Sequence, residues 1–199
     1  MPKLQKNIHS QRGFSLPEMV IVLLVLAILI TLALPQIMSG RRLFMFSSMQ
    51  RQMASSLTQA RQDAMSERLA VTFRYDNANK RMILFGGKYG AFGDQRNLVQ
   101  EMSGSGVNGY DIIFGRPGNA STQALGDGTN LSNLTDNKLD ITFLPDGSVR
   151  DANNNPVNKT MFFYHDKHAA DTAFAVSVLG AGGRTKVWRY NKQTNRYVE

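Results

Sequence analysis

The sequence predicts an α+β fold, one long N-terminal helix packed on antiparallel β-sheet. Three observations predict it. A long apolar run ends at Leu34, apolar positions then recur at helical spacing from Phe46 to Ala64, and from Val71 onward they fall into short clusters separated by turn formers. At 199 residues the chain is the size of one ordinary domain with an appendage.

The appendage is the N-terminus. Residues 1–13, MPKLQKNIHSQRG, carry Lys3, Lys6 and Arg12 and no acid. From Met19 to Leu34 only Thr31 interrupts sixteen otherwise apolar residues. Counted from Phe14, the 21-residue segment makes a helix of roughly 31 Å, about the thickness of a bilayer's hydrocarbon core. The basic flank is expected to stay in the cytoplasm, with everything beyond Pro35 on the far side. A cleaved secretory signal shares the basic start and the apolar run, but here the run ends in LALPQIMSGRR, which has no A-x-A site. A plain anchor leaves Glu18 unexplained. A carboxylate at the edge of a lipid-spanning segment is costly, so it marks function and calls for a cationic partner.

Arg12-Gly13-Phe14-Ser15-Leu16-Pro17-Glu18, followed by the apolar run, resembles the processing site of the type IV prepilins, which include minor pilins, type II secretion pseudopilins and competence pilins. The resemblance implies that a prepilin peptidase cuts between Gly13 and Phe14 on the cytoplasmic side and methylates the Phe14 amine, and that the apolar helix is retained. It also implies that the Glu18 carboxylate pairs with the Phe14 amine of a neighbouring subunit as helices bundle into a filament, offsetting the desolvation of both charges. The expected partners are other pilin or pseudopilin subunits, the peptidase and an inner-membrane assembly platform. No cofactor is expected. The implied organisation is a leader at 1–13, a transmembrane and filament-core helix at 14–42, and a periplasmic pilin-like domain at 43–199, on a single-pass inner-membrane protein that later enters a pilus or pseudopilus.

Two prolines fall in the expected helix. Pro17 lies in the first turn, where a missing N–H costs nothing; Pro35 removes one hydrogen bond and is expected to kink or loosen the helix near Ser39-Gly40, or to mark the membrane exit. Phe46, Met49, Met53, Leu57, Ala60 and Ala64 then recur at three and four, with Arg51, Gln52, Ser55, Gln59, Arg61, Gln62 and Asp63 mostly between them. One helix from about Phe14 to Arg68 is expected. Its second half, SSLTQARQDAMSERLAVTF, resembles the corresponding part of the GspH/FimT group of minor pilins and pseudopilins.

Seven strands are expected next: 71–75, 81–85, 110–114, 139–143, 160–164, 173–179 and 185–190. DNANK between the first two reads as a hairpin connection, and Leu144-Pro145-Asp146-Gly147 places Pro and Gly where a tight turn wants them. ITFLPDGSV and the terminal GGRTK again resemble GspH/FimT. Residues 86–137 depart from that pattern. Their Gly, Ser and Asn clusters read as long exposed loops.

Cysteine is absent, which excludes thiol catalysis, disulfides and cysteine metal sites; a core of roughly 150 residues is large enough to hold without cross-links. His165, Asp166 and His168 form YHDKH without a further ligand cluster, and read as a polar loop after a strand. Asp151-Ala152-Asn153-Asn154-Asn155 opens like a calcium loop, yet has Pro156 and Phe162 where an EF-hand needs Gly and Glu; a weaker, irregular calcium site stays open. Asn119, Asn130, Asn133 and Asn158 head glycosylation sequons that in a bacterial chain are loop composition. No nucleophile–base arrangement stands out. An enzyme is not expected.

Net charge is +8, from 23 basic against 15 acidic residues, and loss of residues 1–13 leaves 20 against 15, or +5. The C-terminal GGRTKVWRYNKQTNRYVE concentrates the excess. On a strand, alternation puts Arg184, Lys186, Trp188, Tyr190 and Lys192 on one side, with Arg189 adding charge, which makes a candidate DNA-contacting surface with stacking groups. The competence-linked FimT branch uses a C-terminal Gly-Arg-x-Arg motif in DNA capture; it maps to Gly183, Arg184 and Lys186, where Lys keeps the charge but loses the planar fork. The opposing expectation is that Val187 and Trp188 pack against the sheet while the charges are solvated. Two functions follow: a structural pilin or pseudopilin subunit, or a pilin that captures DNA.

Overall fold

The structure, a computed structural model, describes residues 15–94, 97–101, 112–118 and 125–199. The chain divides into two compact units, residues 1–41 and 42–199. Helix α1, Leu16–Glu67, contributes to both, and its helical assignment does not break at Pro35 or Gly40. The remaining elements are β1 (Val71–Asp76), β2 (Arg81–Gly86), β3 (Leu98–Glu101), β4 (Ile112–Phe114), β5 (Lys138–Phe143), β6 (Lys159–His165), a one-turn α2 (Ala169–Thr172), β7 (Phe174–Leu179), β8 (Arg184–Asn191) and β9 (Arg196–Val198). The fold is α+β and pilin-like, with an apolar N-terminal helix followed by antiparallel sheet.

In the second unit, the α1 stripe read from the sequence is the buried face: Phe46, Met49, Met53, Leu57, Ala60 and Ala64 all lie in the core. Burying a Met or Leu side chain there contributes about 1.5–3 kcal/mol, while the two alanines let strands approach the helix closely. Two antiparallel sheets complete that core, one ordered β3-β2-β1-β5 and the other β4-β6-β7-β8-β9. The first sheet turns Val71, Phe73, Tyr75, Met82, Leu84, Leu139, Ile141 and Phe143 to it. Its other face carries the Thr72–Thr142 hydroxyl pair and the Arg74–Asp140 fork, with both bonds at 2.6 Å and the guanidinium 4.8 Å from the rings of Phe85 and Phe92.

The second sheet is buried on both faces. Met161, Phe163, Phe174, Val176 and Val178 join the main core, while Phe162, Ala175, Trp188 and Tyr197 form a second cluster with Leu125. Residues 125–131 therefore act partly as packing, not only as exposed loop: Leu125 and Thr129 are buried, and Asp127 accepts from Ser177 Oγ at 2.5 Å. Strands β3 and β9 also depart from the sequence reading, which placed neither.

The ends of α1 and β2 are tied through the turn Gly87–Tyr89. Lys88 N–H donates to Glu67 at 2.6 Å, Lys88 Nζ pairs with Asp63 at 2.8 Å, and Tyr89 Oη donates to Asp63 at 2.7 Å while accepting from Gln59 at 2.8 Å. Burial and the neighbouring Asp63 push the Tyr89 phenol up, so it stays a donor at all ordinary pH.

The sheets are laced by backbone bonds. Val149 N–H donates to Gly180 O at 2.8 Å and Val157 N–H to Val149 O at 3.0 Å, just after the tight turn closed by Gly147 N–H to Leu144 O. At Gly147 (φ +77°) that turn meets Gly183 (φ +60°): a Cβ on Gly183 falls 1.9 Å from Gly147 O, with Arg61 at 3.0 Å. Gly183→Ala is therefore expected to cost at least about 2 kcal/mol, combining left-handed backbone strain with a backbone clash. Gly182 has open space around it. Denaturant unfolding in which Gly183→Ala is no less stable than Gly182→Ala contradicts this contact.

Asp76 closes the β1–β2 hairpin. Only 3% exposed, it accepts from the N–H groups of Ala78 and Asn79, from Asn79 Nδ2 at 2.7 Å and from Arg81 Nε at 3.2 Å. Burial alone raises its carboxyl, but the bonds from Asn79 and Arg81 outweigh burial and hold it below its ordinary value. A carboxyl depressed in the folded state contributes stability above its unfolded value, about 4, and loses that contribution as pH falls through the folded value. Asp76→Asn should therefore be less stable at neutral pH by about 1–3 kcal/mol, and the gap to wild type should narrow below about pH 4. A gap that is constant from pH 7 to pH 2, measured by denaturant titration, refutes the assignment.

Candidate functional site

In the first unit, Gly13 and Phe14 lie outside the described residues, and the description begins at Ser15, whose carbonyl accepts from Met19 N–H at 3.2 Å. Pro17 is the second residue of α1, where no intrahelical bond is lost, and Glu18 is an acid in the first turn, on the favourable side of the helix dipole. The window Leu16–Ala33 has a mean hydropathy of 2.7 and none of it is buried within the chain, so this helix is long and apolar enough to cross a membrane. Thr31 fits such a helix because its hydroxyl donates to Ala27 O at 2.8 Å. A carboxylate at the head of so apolar a surface needs either water or a counter-charge.

The C-terminal basic strand is β8. Its alternation places Arg184, Lys186, Trp188 and Tyr190 on one side, as expected, whereas Lys192 lies beyond the strand in the turn to β9. That side is covered at its centre. Trp188 is 4% exposed, its indole N–H donates to Ser177 Oγ at 2.9 Å, and it packs with Phe162 and Tyr197. Trp188 is thus a core residue and not an available stacking group; the loop carrying Leu125 and Asp127 covers it. Lys186 is also engaged, 2.6 Å from Glu199 and over the Trp188 ring at 5.2 Å. Tyr190 Oη meets Asn195, and Arg189, on the opposite face, donates to Gln50 Oε1 at 3.3 Å. Arg184, Arg189 and Lys192 remain exposed. At the cluster's edge Arg116 stacks on Phe162 at 4.3 Å, with burial lowering its pKa, while burial pushes the Tyr197 phenol up against the opposing charge of Arg116.

His165 and His168 sit with ring centroids 5.2 Å apart, and His165 Nδ1 accepts from Lys167 N–H at 3.0 Å, which spends one ring nitrogen on the turn Asp166–His168. The Asp151 carboxylate likewise accepts from Asn153 and Asn155 N–H in its own turn. Among the described residues no group of three or more His, Asp or Glu gathers to hold a metal ion.

Sequence reasoning missed an open cleft of about 380 Å³ lined by Thr58, Arg61, Gly183, Arg184 and Thr185. Its signal was present in two places: an arginine between the buried Ala60 and Ala64, and a Gly-Gly pair before Arg184. Nothing in either stretch alone says that they meet.

Residues 8–34 match the family profile described as the prokaryotic N-terminal methylation motif. Neither a curated protein nor a solved structure matches the chain. The motif at 8–34 leads into an apolar helix that is unburied from Leu16 to Ala33, and together they support a type IV prepilin-like N-terminal segment.

Proposed function

We propose that the chain is a minor pilin or pseudopilin of the GspH/FimT kind, a structural subunit of a type II secretion pseudopilus or a type IV pilus. The observation that carries this reading is the methylation motif at residues 8–34 running directly into the unburied apolar helix Leu16–Ala33. Such a helix, left without cover by its own chain, is made for a bilayer and then for the helices of other subunits. In this reading residues 1–13 are a leader removed between Gly13 and Phe14, Phe14 is N-methylated, residues 14–42 are the span and filament core, and residues 43–199 are periplasmic. Pro35 belongs to the assembly segment. Glu18 pairs with the Phe14 amine of the adjacent subunit, which neutralises both charges in an apolar bundle.

A second reading, capture of DNA by the C-terminal strand, retains the exposed Arg184, Arg189 and Lys192. With Trp188 in the core it becomes a charge-only surface, whose binding should fall steeply and log-linearly with salt; no oligonucleotide binding at low salt removes it.

Glu18→Ala is expected to leave the second unit folded and the leader processed. Incorporation into filaments should drop tenfold or more, since leaving one partner of a buried pair uncompensated costs about 3–5 kcal/mol. Normal incorporation, measured by immunoblot of sheared filaments, sinks the pairing role. Gly13→Val is expected to keep the leader attached. A mature chain beginning at Phe14 in that variant, read by intact mass, refutes the processing site.

A further inference from the structure

The buried end of β6 carries a titratable ring whose chemistry the filament role does not use. His165 is the last residue of that strand and only 5% exposed, and both its backbone and its ring hold the segment that follows. Its N–H donates to Thr172 Oγ1 at 3.0 Å, and that hydroxyl donates to His168 O at 2.7 Å. Its Nδ1 accepts from Lys167 N–H at 3.0 Å, the bond that a helix N-cap ordinarily makes. A backbone N–H can only donate, so Nδ1 bears no proton and the ring is the neutral Nε2–H tautomer. The oxygens of Ser, Thr or Asn accept such a bond at any pH. An imidazole accepts it only while uncharged.

The surroundings of the ring suit the neutral form. Phe46, the first member of the α1 stripe, has its ring 5.9 Å away, and the same Phe46 meets Phe174 of β7 at 6.4 Å. Ile112 of β4, the register partner of His165, is buried in the same core. Gln50, one turn further along α1, is neutral; it donates to Trp188 O at 3.4 Å and accepts from Arg189 Nε at 3.3 Å, so the charge that β8 brings to this core face is a permanent cation. The segment after β6 adds a second imidazole, His168, at 5.2 Å between ring centroids. Its other charges, Asp166, Lys167 and Asp171, are all exposed, where water and salt screen them.

We infer that His165 is a proton-operated latch: neutral, it holds the segment Asp166–Thr172 on the end of β6, and protonated at Nδ1 it releases that segment. The added proton turns an acceptor into a donor, so two N–H groups face each other at 3.0 Å where one hydrogen bond stood. It also leaves a full charge beside Phe46 with little water to solvate it. An unfolded chain takes up this proton below about pH 6.5, whereas the latched fold keeps the ring neutral there. Stability is therefore complete above that pH and falls as pH drops below it. The ring that moves is one that covers Phe46, so acid loosens the head of the α1 stripe. The latch lies wholly in the second unit and stands apart from the pilin reading.

The test uses the full chain in detergent micelles from about pH 7.5 to about pH 5.5, a range above the ordinary carboxylate values of about 4. Below about pH 6.5 the folding equilibrium constant of the second unit should drop by up to about tenfold per pH unit, read as a Tm lower by about 3–5 °C per unit. His165→Asn keeps an acceptor for Lys167 N–H but cannot titrate, so its Tm should be flat over this range, whatever its value at neutral pH. His168→Asn should keep the wild-type slope. In the wild type, protection of the Lys167 amide against hydrogen exchange, corrected for the intrinsic rate, should fall about tenfold at the acid end while amides of β1 stay protected. A flat wild-type Tm, an equal slope in His165→Asn, a slope lost in His168→Asn alone, or a Lys167 protection unchanged by acid overturns the latch. The exchange measurement needs no variant, so the latch stays testable if His165→Asn does not fold.

Discussion

The second unit depends on one constraint, the need of the α1 stripe from Phe46 to Ala64 to be covered. A helix with one apolar face is not stable alone in water, and its stability comes from what packs on that face. The stripe grades from large to small. Phe46, Met49, Met53 and Leu57 fill space, and Ala60 and Ala64 then let the strands close in. At the small end, polar clamps become possible, with Asp63 and Glu67 reaching the Gly87–Tyr89 turn and Arg61 reaching the two glycine turns. The first half of α1 has the opposite design. It is apolar on all sides, none of its span is buried by the chain, and its cover must come from lipid or other proteins.

All seven strands read from the sequence correspond to strands in the fold, because a sheet face pressed on a helix forces alternation. In β1 and β5, inward Val71, Phe73, Tyr75, Leu139, Ile141 and Phe143 alternate with Thr72, Arg74, Asp140 and Thr142. Strands β3 and β9 escaped for the converse reason. They are short strands at sheet edges, LVQE and RYV, and supply too few apolar positions to show a period. The third expected strand, 110–114, is described only over Ile112–Phe114, and residues 110 and 111 lie outside the described residues.

Trp188 shows where a period of two stops being informative. Alternation assigns it a side of the sheet, and that side is correct, but whether the side faces water depends on a second layer. That layer comes from Leu125 and its neighbours, in a stretch whose Gly, Asn and Thr give it the composition of a surface loop. The methylation motif and the apolar helix are legible for the opposite reason, since each is carried by a contiguous stretch of sequence. The Arg61–Arg184 cleft joins positions more than a hundred residues apart, and only the fold brings them together.

The same joint explains how the unit holds without disulfides. Two sheets on one helix can slide unless something crosses between them. Here the crossing is made by backbone: the Leu144–Gly147 turn runs on into Val149, which bonds both Gly180 and Val157, while Gly147 and Gly183 touch where no side chain fits. Main-chain bonds of this kind are short-range and leave little freedom in register, so they fix the two sheets more tightly than side-chain packing alone. Arg61 lies directly on this contact, with its charge unspent. The Arg61 side chain closes this contact from the helix side, with its Cδ and Nε 3.0 Å from where a Cβ on Gly183 would lie.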